Sequence, residues 1–180
     1  MTALQSDIAA RAADIRLLVL DVDGVLTDGR LYFTARGEET KCFHVRDGAG
    51  IVALIRAGIQ VAVISGRDSP AVAKRAAELG IEFVRQGVSD KLAVLKELLA
   101  HLHLDAQSIA CMGDDSPDIP IMRIARLAIA VADGHASAKA CAHLVTTMSG
   151  GLGAVREACD VILAAQTPKS QHRSQHEPPS

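Results

Sequence analysis

Apolar residues along the chain fall into short continuous runs that alternate with stretches of helical spacing. The run Leu17-Leu18-Val19-Leu20 lies between polar residues, which is typical of a strand buried on both faces of a parallel sheet. The same criterion predicts strands at 16–22, 59–65, 82–85, 108–112, 127–132 and 143–146. Amphipathic spacing and capping residues predict helices at 4–13, 48–57, 70–79, 91–103, 135–142 and 154–165, and a further helix start at Pro117.

This alternation of strands and helices predicts the fold class. Strands that follow one another through helices form a mostly parallel sheet with right-handed crossovers, so we expect a doubly wound α/β sheet with helices on both faces. The 180 residues fit a single domain, placed at 1–165. Residues 166–180 contain almost no apolar side chains, and we expect them to be disordered. Asp47 is expected to cap the helix at 48–57.

The segment 30–43 interrupts the alternation. Two β-prone pieces, 31–34 and 40–43, flank a turn at Arg36-Gly37, which predicts a small β-hairpin inserted after the first strand. A two-stranded hairpin is marginally stable in water, and this one carries most of the aromatic residues of a chain with one Tyr, three Phe and no Trp. We therefore expect the hairpin to pack against another copy of the protein. No segment is long enough to form a separate cap domain.

Composition excludes some classes of partner. The chain has 19 Lys and Arg residues against 21 Asp and Glu residues, and its formal net charge of −2 provides no basic face for nucleic acid or for a membrane surface. It contains no apolar stretch of membrane-spanning length and no basic-then-apolar leader. The four cysteines are widely spaced without a Cys-x-x-Cys pair, as free thiols of a reducing compartment are. We expect a soluble, cytoplasmic protein.

Polar side chains that carry chemistry cluster at the predicted strand ends. Because the carboxyl ends of parallel strands meet at one edge of a sheet, these side chains are expected to converge in one crevice. Several carboxylates in one crevice stay ionised only if a cation offsets them, and hard oxygen ligands suit Mg²⁺. A metal, a lysine and a serine hydroxyl are the groups needed to neutralise a transferring phosphoryl group. The residues are Asp21, Asp23, Ser65, Arg67, Lys91, Asp114, Asp115 and Asp118.

These residues resemble the four ordered motifs of the haloacid dehalogenase superfamily of phosphatases. The motifs are Asp21-x-Asp23-Gly24-x-x-Thr27, a strand ending in Ser65, Lys91, and Gly113-Asp114-Asp115-x-x-Asp118. Their order, spacing and placement at strand ends agree over residues 17–132. The surrounding sequence, including Val45-Arg-Asp-Gly48 and Gly150-Gly-x-Gly-Ala-Val-Arg-Glu157, is similar over 14–165 to a cap-less branch whose members are 3-deoxy-D-manno-octulosonate 8-phosphate phosphatases.

The resemblance implies a reaction and a role for each motif residue. The reaction is Mg²⁺-dependent hydrolysis of a phosphorylated sugar acid, the Kdo 8-phosphate of lipopolysaccharide synthesis, through an aspartyl phosphate on Asp21. Asp23 is implied to protonate the leaving sugar oxygen and then to take a proton from the attacking water. Ser65 and Lys91 are implied to hold the phosphoryl oxygens. The implied metal ligands are Asp21, the backbone carbonyl of Asp23, and Asp114.

The resemblance also implies roles for two more acids and an oligomeric state. Asp115 and Asp118 are implied to orient Lys91 and metal-bound water, although an N-cap role for either of them stays open. Members of the branch are homotetramers in which hairpins from four subunits join as a barrel and the C-terminal stretch reaches a neighbouring active site. The predicted hairpin fits that arrangement, so a homotetramer is expected here as well.

Recognition of the sugar acid is expected to fall to arginine. Arg67 is the first candidate for the substrate carboxylate, because a guanidinium forks onto carboxylate oxygens and this residue closely follows Ser65. Arg46 and Arg75 are further candidates, with a structural ion pair as the alternative for each. The loop 150–153 is either a cover for a neighbouring subunit's crevice or a connector. Ala49 stands where many relatives have Tyr, so an aromatic ring beside the pocket is absent.

Three other functions compete with this hypothesis. A sister phosphatase acting on a nine-carbon sialic-type sugar phosphate or on other small phosphates would carry the same motifs. A receiver domain also binds Mg²⁺ beside a phosphorylated aspartate, but its phosphoacceptor follows a later strand, whereas the acids here flank the first. A non-catalytic assembly module is disfavoured because every predicted catalytic group is present.

Overall fold

The computed structural model describes residues 3–166, and only the backbone of Ala3 and Leu4. The tail expected to be disordered lies outside the described residues, except for Gln166 at the end of the last helix. No helix within this described part is long and apolar enough to cross a membrane.

The described residues form eight strands, and six of them make one parallel sheet. They are β1 (Leu17–Leu20), β2 (Tyr32–Phe33), β3 (Glu39–Thr40), β4 (Gln60–Ile64), β5 (Phe83–Arg85), β6 (Ile109–Gly113), β7 (Leu127–Ala130) and β8 (Leu144–Val145). The sheet order is β5-β4-β1-β6-β7-β8, with every pair parallel. The chain winds outward from β1 in both directions, which confirms the predicted doubly wound α/β class.

Seven α-helices among the described residues cover this sheet. They are α1 (Ala3–Ala12), α2 (Val45–Arg56), α3 (Pro70–Leu79), α4 (Lys91–Leu102), α5 (Ile119–Ile124), α6 (Ala136–Cys141) and α7 (Ala154–Gln166). Successive residues of β1 point to opposite faces of the sheet. Leu18 and Leu20 join a core with α1, α2, α3 and α7, whereas Leu17 and Val19 join one with α4 and α5. Burial on both faces explains the continuous apolar run.

The register of the central strands brings the predicted site residues to one edge. Leu20 pairs with Val63 of β4 on one side and with Met112 of β6 on the other. All three strands therefore end at the same level of the sheet. The residues that follow them lie side by side at its carboxyl edge, where the sequence places the chemistry.

The hairpin is present but shorter than predicted. β2 and β3 pair antiparallel through Tyr32 with Thr40 and Phe33 with Glu39. Leu31, Tyr32 and Phe33 are exposed in the single chain. Among the described residues this insertion is the only strand pair between β1 and α2, in agreement with the absence of a cap domain.

The predicted cap at Asp47 is wrong. Helix α2 begins at Val45, with His44 at its N-cap, so Asp47 lies inside the first helical turn. Its buried carboxylate accepts a hydrogen bond from the backbone N–H of Arg156, with 2.8 Å between N and Oδ1. Asp47 therefore satisfies a free amide in the first turn of α7, a distant helix that local sequence pattern does not reveal.

Candidate active site

Asp21 is the first residue after β1 and lies at the centre of the site. Its backbone N–H continues the ladder to β6 by donating to the carbonyl of Met112 at 3.1 Å. This bond fixes the direction in which the side chain leaves the sheet. The carboxylate is mostly buried, and Lys91 Nζ lies 2.8 Å from its Oδ1.

Lys91 reaches Asp21 from the first turn of α4. Asp90 caps that helix, its Oδ1 accepting from the N–H groups of Leu92 and Ala93 at 3.0 Å each. The Lys91 side chain is 5% exposed, and its ammonium also lies 2.6 Å from Asp118 Oδ1. Burial by itself lowers the pKa of Lys91, but the charges of Asp21 and Asp118 outweigh it and the pKa is raised. The lysine is therefore a fixed positive charge.

Asp118 and Asp115 have different roles in the structure. Asp118 Oδ2 accepts from the N–H groups of Asp114 at 3.1 Å and Asp115 at 3.4 Å, while its Oδ1 binds Lys91. Asp115 caps a short 3-10 turn at 116–118 by accepting from Ser116 N at 2.6 Å, and its side chain is 54% exposed. The two acids thus form a reciprocal capping box around this turn, and Asp118 alone also orients Lys91.

Three carboxylates form a cluster suited to a metal ion. Asp21, Asp114 and Asp118 each offer an oxygen, and these oxygens lie within 4.8 Å of one another. Burial, together with the neighbouring carboxylates, raises the pKa of Asp21 to about 6 and that of Asp114 to about 7. Lys91 supplies one positive charge against three carboxylates, so a divalent cation fits the remaining charge.

The oxygens of this cluster are not equally available. Both oxygens of Asp118 already accept hydrogen bonds, from Lys91 and from backbone N–H groups. Within residues 3–166 no hydrogen-bond donor reaches the Asp114 carboxylate. Asp114 and Asp21 are therefore the side chains of this cluster best placed to bind a cation, and the ligand set of Asp21, the Asp23 backbone carbonyl and Asp114 stays a prediction.

Glycines allow the surrounding loops to pack closely. Gly24 has φ +89°, and a Cβ there would overlap the Asp114 carboxylate. A Cβ at Gly150 would overlap the carbonyl of Gly24, and one at Gly151 would overlap the backbone of Thr27. Gly151 N also donates to Val25 O at 2.9 Å. Within one chain, the loop at 150–153 therefore packs directly against the loop that follows β1.

Asp23 belongs to a second cluster, in which positive and negative charges cancel. Lys41 Nζ pairs with Asp23 Oδ1 and lies 3.5 Å from Glu39 Oε1. Arg67 places its Nη2 2.6 Å from Glu39 Oε1 and its Nε 3.7 Å from Asp23 Oδ2. The Lys41 side chain is only 2% exposed, compared with 46% for Arg67. Two positive and two negative groups therefore balance one another here.

Lys41 and Glu39 are the residues that sequence reasoning missed. They come from the end of the hairpin, which the pattern assigned to subunit packing alone. A signal was available in their spacing, because residues two apart in an extended strand point to the same side. Glu39 and Lys41 on one side of a hairpin rich in aromatic residues indicate that this side makes polar contacts.

Ser65 and the three predicted arginines differ in their placement. Ser65 follows β4, is buried, and donates its N–H to Arg85 O at 2.9 Å. Its position at the carboxyl edge is set by the pairing of β4 with β1. Arg67 lies at the site because its guanidinium contacts Asp23. The structure does not bring Arg75 or Arg46 to the site. Arg75 lies against Gly48 and pairs with Glu78 at 3.2 Å.

Arg46 lines a groove between α2 and α7. Its neighbours there include Arg156, Glu157 and Asp160. Within one chain, neither Arg46 nor Arg75 contacts the carboxylates at the carboxyl edge, so their role in substrate binding stays a prediction.

Known proteins are similar to this chain in sequence and in fold. A family model for haloacid dehalogenase-like hydrolases matches residues 80–157. The 3-deoxy-D-manno-octulosonate 8-phosphate phosphatase KdsC of Yersinia pestis is 51% identical over 160 residues, covering 89% of this chain and 86% of that protein. KdsC of Escherichia coli K12 is 47% identical over 163 residues, covering 91% and 87%. The chain belongs to the KdsC family of haloacid dehalogenase-like hydrolases.

A solved KdsC-family structure has the same fold. The Moraxella catarrhalis 3-deoxy-D-manno-octulosonate 8-phosphate phosphatase, in complex with a magnesium ion, a phosphate ion and a KDO molecule, matches with a TM-score of 0.88. It is 43% identical, and the match covers 89% of this chain and 92% of that chain. The resemblance expected from the motifs is therefore confirmed at the level of family and fold.

The two clusters differ in net charge. The cluster of Asp21, Asp114 and Asp118 has an excess of negative charge and suits a cation. The cluster of Asp23 and Glu39 is neutralised by side chains of the protein itself. The first cluster is therefore the better electrostatic match for a cation, whereas the Asp23 carboxylate is already paired with positive side chains of the protein.

Proposed function

We propose that this chain is a Mg²⁺-dependent phosphomonoesterase that converts 3-deoxy-D-manno-octulosonate 8-phosphate to Kdo and phosphate. The observation that carries the proposal is the contact of Asp21 with Lys91 at the edge of a cation-binding cluster. That arrangement supports the proposal, because a nucleophile, a fixed positive charge and metal ligands would then surround one position for a phosphoryl group. The names of the KdsC relatives supply the substrate.

In the first step an Asp21 carboxylate oxygen attacks phosphorus. A bond forms between that oxygen and phosphorus, and the bond from phosphorus to the sugar O8 breaks. Asp23 gives its proton to the departing O8, which leaves as the neutral hydroxyl of Kdo. The products are an aspartyl phosphate on Asp21 and an ionised Asp23.

In the second step water replaces Asp21 on phosphorus. The ionised Asp23 takes a proton from the water as its oxygen attacks, so Asp23 returns to the protonated form. The bond from phosphorus to the Asp21 oxygen breaks and releases inorganic phosphate. Asp23 therefore needs to move one proton in each direction in every cycle, and in the structure its side chain contacts Lys41 and Arg67.

The negative charge of the phosphoryl group is held by Lys91 and Ser65. Lys91 is fixed by Asp118 and by the capped start of α4, so it stays in place while charge develops. Mg²⁺, bound by Asp21, Asp114 and the backbone carbonyl of Asp23, would supply the remaining positive charge as a Lewis acid. Asp118 acts by orienting Lys91 and the loop at 114–115.

The carboxylate of the sugar acid is assigned to Arg67. This guanidinium is the most exposed member of the Asp23 cluster, so an incoming carboxylate has access to it. Glu39 holds it at 2.6 Å, and substrate binding therefore requires Arg67 to share or exchange that partner. Arg46 and Arg75 stay predicted contributors to substrate binding, and within one chain they lie away from this cluster.

Assembly and cellular role complete the proposal. The exposed side chains of Leu31, Tyr32 and Phe33 form an apolar surface on the hairpin, which suits burial between copies in a homotetramer. A Kdo phosphatase acts on a precursor of lipopolysaccharide, so the reaction is assigned to the cytoplasm of a cell that makes this polymer. Tetramer formation is tested by sedimentation of the full chain against a Phe33→Asp variant.

A comparison of substrates tests the function. We expect phosphate release from Kdo 8-phosphate in the presence of Mg²⁺ at a higher kcat/KM than from a nine-carbon sialic-type phosphate or hexose phosphates. Asp21→Asn removes the nucleophile and should abolish turnover while the protein stays folded, and Asp7→Asn on the exposed face of α1 serves as the control. Equal rates for all the esters would contradict the substrate assignment, and full activity of Asp21→Asn would contradict the mechanism.

A further inference from the structure

We propose that Lys41, carried by the β-hairpin, is a positioning residue that holds the Asp23 carboxyl group in place, so that its protonated form can transfer a proton to the leaving oxygen. The inference rests on the proposed function, in which Asp23 is the general acid of the first step. It adds the hairpin to the parts of the chain that serve the chemistry.

The burial of Lys41 is the first observation. Its side chain is 2% exposed, although it lies at the end of a hairpin whose other side chains are mostly exposed. A lysine is almost never fully buried unless it is paired, and here the ammonium pairs with Asp23 and lies 3.5 Å from Glu39. The fold therefore directs this charge inward, toward Asp23.

The charge balance is the second observation. Lys41 and Arg67 together neutralise Asp23 and Glu39. Without Lys41, the Asp23 carboxylate would face Glu39 with only the longer contact to Arg67, at 3.7 Å, and it would be drawn toward a cation in the neighbouring cluster. Lys41 thus keeps the Asp23 side chain on the leaving-group side, and leaves the cation to Asp21 and Asp114.

The dependence of rate on the leaving group tests this role. A sugar alkoxide is a poor leaving group that needs the proton from Asp23, whereas p-nitrophenolate is a stable anion that does not. Since kcat/KM reports the steps through aspartyl-phosphate formation, it isolates the acid role of Asp23 from its later base role. We expect Lys41→Met to lower kcat/KM for Kdo 8-phosphate by about a hundredfold, and for p-nitrophenyl phosphate by less than about threefold.

Four further variants support the test. Asp23→Asn should show the same selective loss, and the double variant with Lys41→Met should be no worse than Asp23→Asn, because both changes remove one function. Lys41→Arg should restore part of the selective loss. Lys96→Met, an exposed lysine of α4, is the matched control and should leave both rates unchanged.

Folding is controlled by a charge-balanced variant. Lys41→Met leaves two acids facing each other, so it is compared with Lys41→Met combined with Glu39→Gln, which removes one charge of each sign. Both should show the selective loss while their thermal unfolding is that of a folded protein. If Lys41→Met lowers kcat/KM equally for both esters while Asp23→Asn lowers it selectively for Kdo 8-phosphate, the proposed role of Lys41 is overturned. That outcome leaves the general-acid role of Asp23 intact. No selective loss in Asp23→Asn would overturn both this role and the proposed general acid.

Discussion

The ammonium of Lys91 lies 2.8 Å from Oδ1 of Asp21, and this contact joins the end of β1 to the start of α4. The Lys91 side chain is 5% exposed and the Asp21 side chain 12%, so the pair is largely removed from water. A buried ion pair contributes less than its Coulomb energy, because both charges lose their hydration. Removing one partner is costly, since the other charge then stays buried without compensation.

Replacement of Lys91 by Met should therefore affect both stability and activity. We expect a loss of about 3–5 kcal/mol in the free energy of unfolding, because Asp21 and Asp118 lose their shared cation. We expect phosphatase activity to fall by at least about a hundredfold, since the phosphoryl group loses a preorganised positive charge. Urea unfolding and phosphate release measure the two effects. Lys96→Met, on the exposed face of the same helix, should change neither, and an active Lys91→Met would contradict the assignment.

Gly24→Ala should weaken Mg²⁺ binding through a steric clash. The added Cβ would overlap the Asp114 carboxylate and push it away from Asp21. Gly37→Ala is a matched control, because Gly37 has a similar φ of +81° and its added Cβ meets nothing within 4 Å. Both variants suffer the strain of a left-handed backbone, but only Gly24→Ala disturbs the cluster. The Mg²⁺ concentration for half-maximal activity should rise about tenfold or more in Gly24→Ala and stay constant in Gly37→Ala.

Binding of Mg²⁺ should weaken as the pH falls. In the metal-free protein the pKa of Asp21 is raised to about 6 and that of Asp114 to about 7, chiefly by burial and then by neighbouring carboxylates. Below these values protons occupy the oxygens that the cation needs, so Mg²⁺ has to displace them. We expect calorimetric titrations to give tighter binding at pH 8 than at pH 5.5, with proton release on binding near pH 6.5.

The Asp114→Asn variant controls the pH experiment. It removes one of the two titrating ligands. We therefore expect weaker Mg²⁺ binding and a shallower dependence of the affinity on pH. Equal affinity of the unaltered protein at pH 5.5 and pH 8 would show that these carboxylates do not hold the cation.

Asp47 provides a prediction about stability. Burial raises its pKa above the ordinary value of 3.8, although hydrogen bonding to Arg156 N opposes the shift. The folded state therefore binds the proton more tightly than the unfolded chain, and this contribution to stability is present in acid and lost as the pH rises above 3.8. Asp47→Asn keeps an oxygen acceptor without the charge, so at pH 7 it should be as stable as the original protein or more stable.

Asp47→Ala separates the hydrogen bond from the charge. It loses the acceptor for Arg156 N, and we expect it to be less stable than Asp47→Asn by about 1 kcal/mol. Asp160→Ala, an exposed acid of α7, is the control for loss of a carboxylate. Urea unfolding at pH 5 and pH 7 measures all four proteins, and equal stability of the Asn and Ala variants would rule out the cross-helix cap.

The residues of the cation cluster were predictable because each follows a buried strand or begins a helix. Asp21 and Asp114 follow adjacent strands of the sheet, and Lys91 begins α4, so their convergence follows from the parallel order of the strands. Lys41 was not predictable in this way, since it follows a short hairpin strand outside the sheet. Its contact with Asp23 depends on how the hairpin folds back across the edge.

The sequence by itself determined the alternation of strands and helices, the carboxyl-edge position of the acids, and the family to which the motifs point. These features depend on local periodicity and on residues that adjoin strand ends, which a linear pattern records. Only the tertiary structure decided that Asp47 caps α7, that Asp115 and Asp118 have different roles, and that Lys41 rather than solvent faces Asp23. Each of these contacts depends on side-chain direction or on elements brought together by packing, and neither is encoded in hydrophobic spacing.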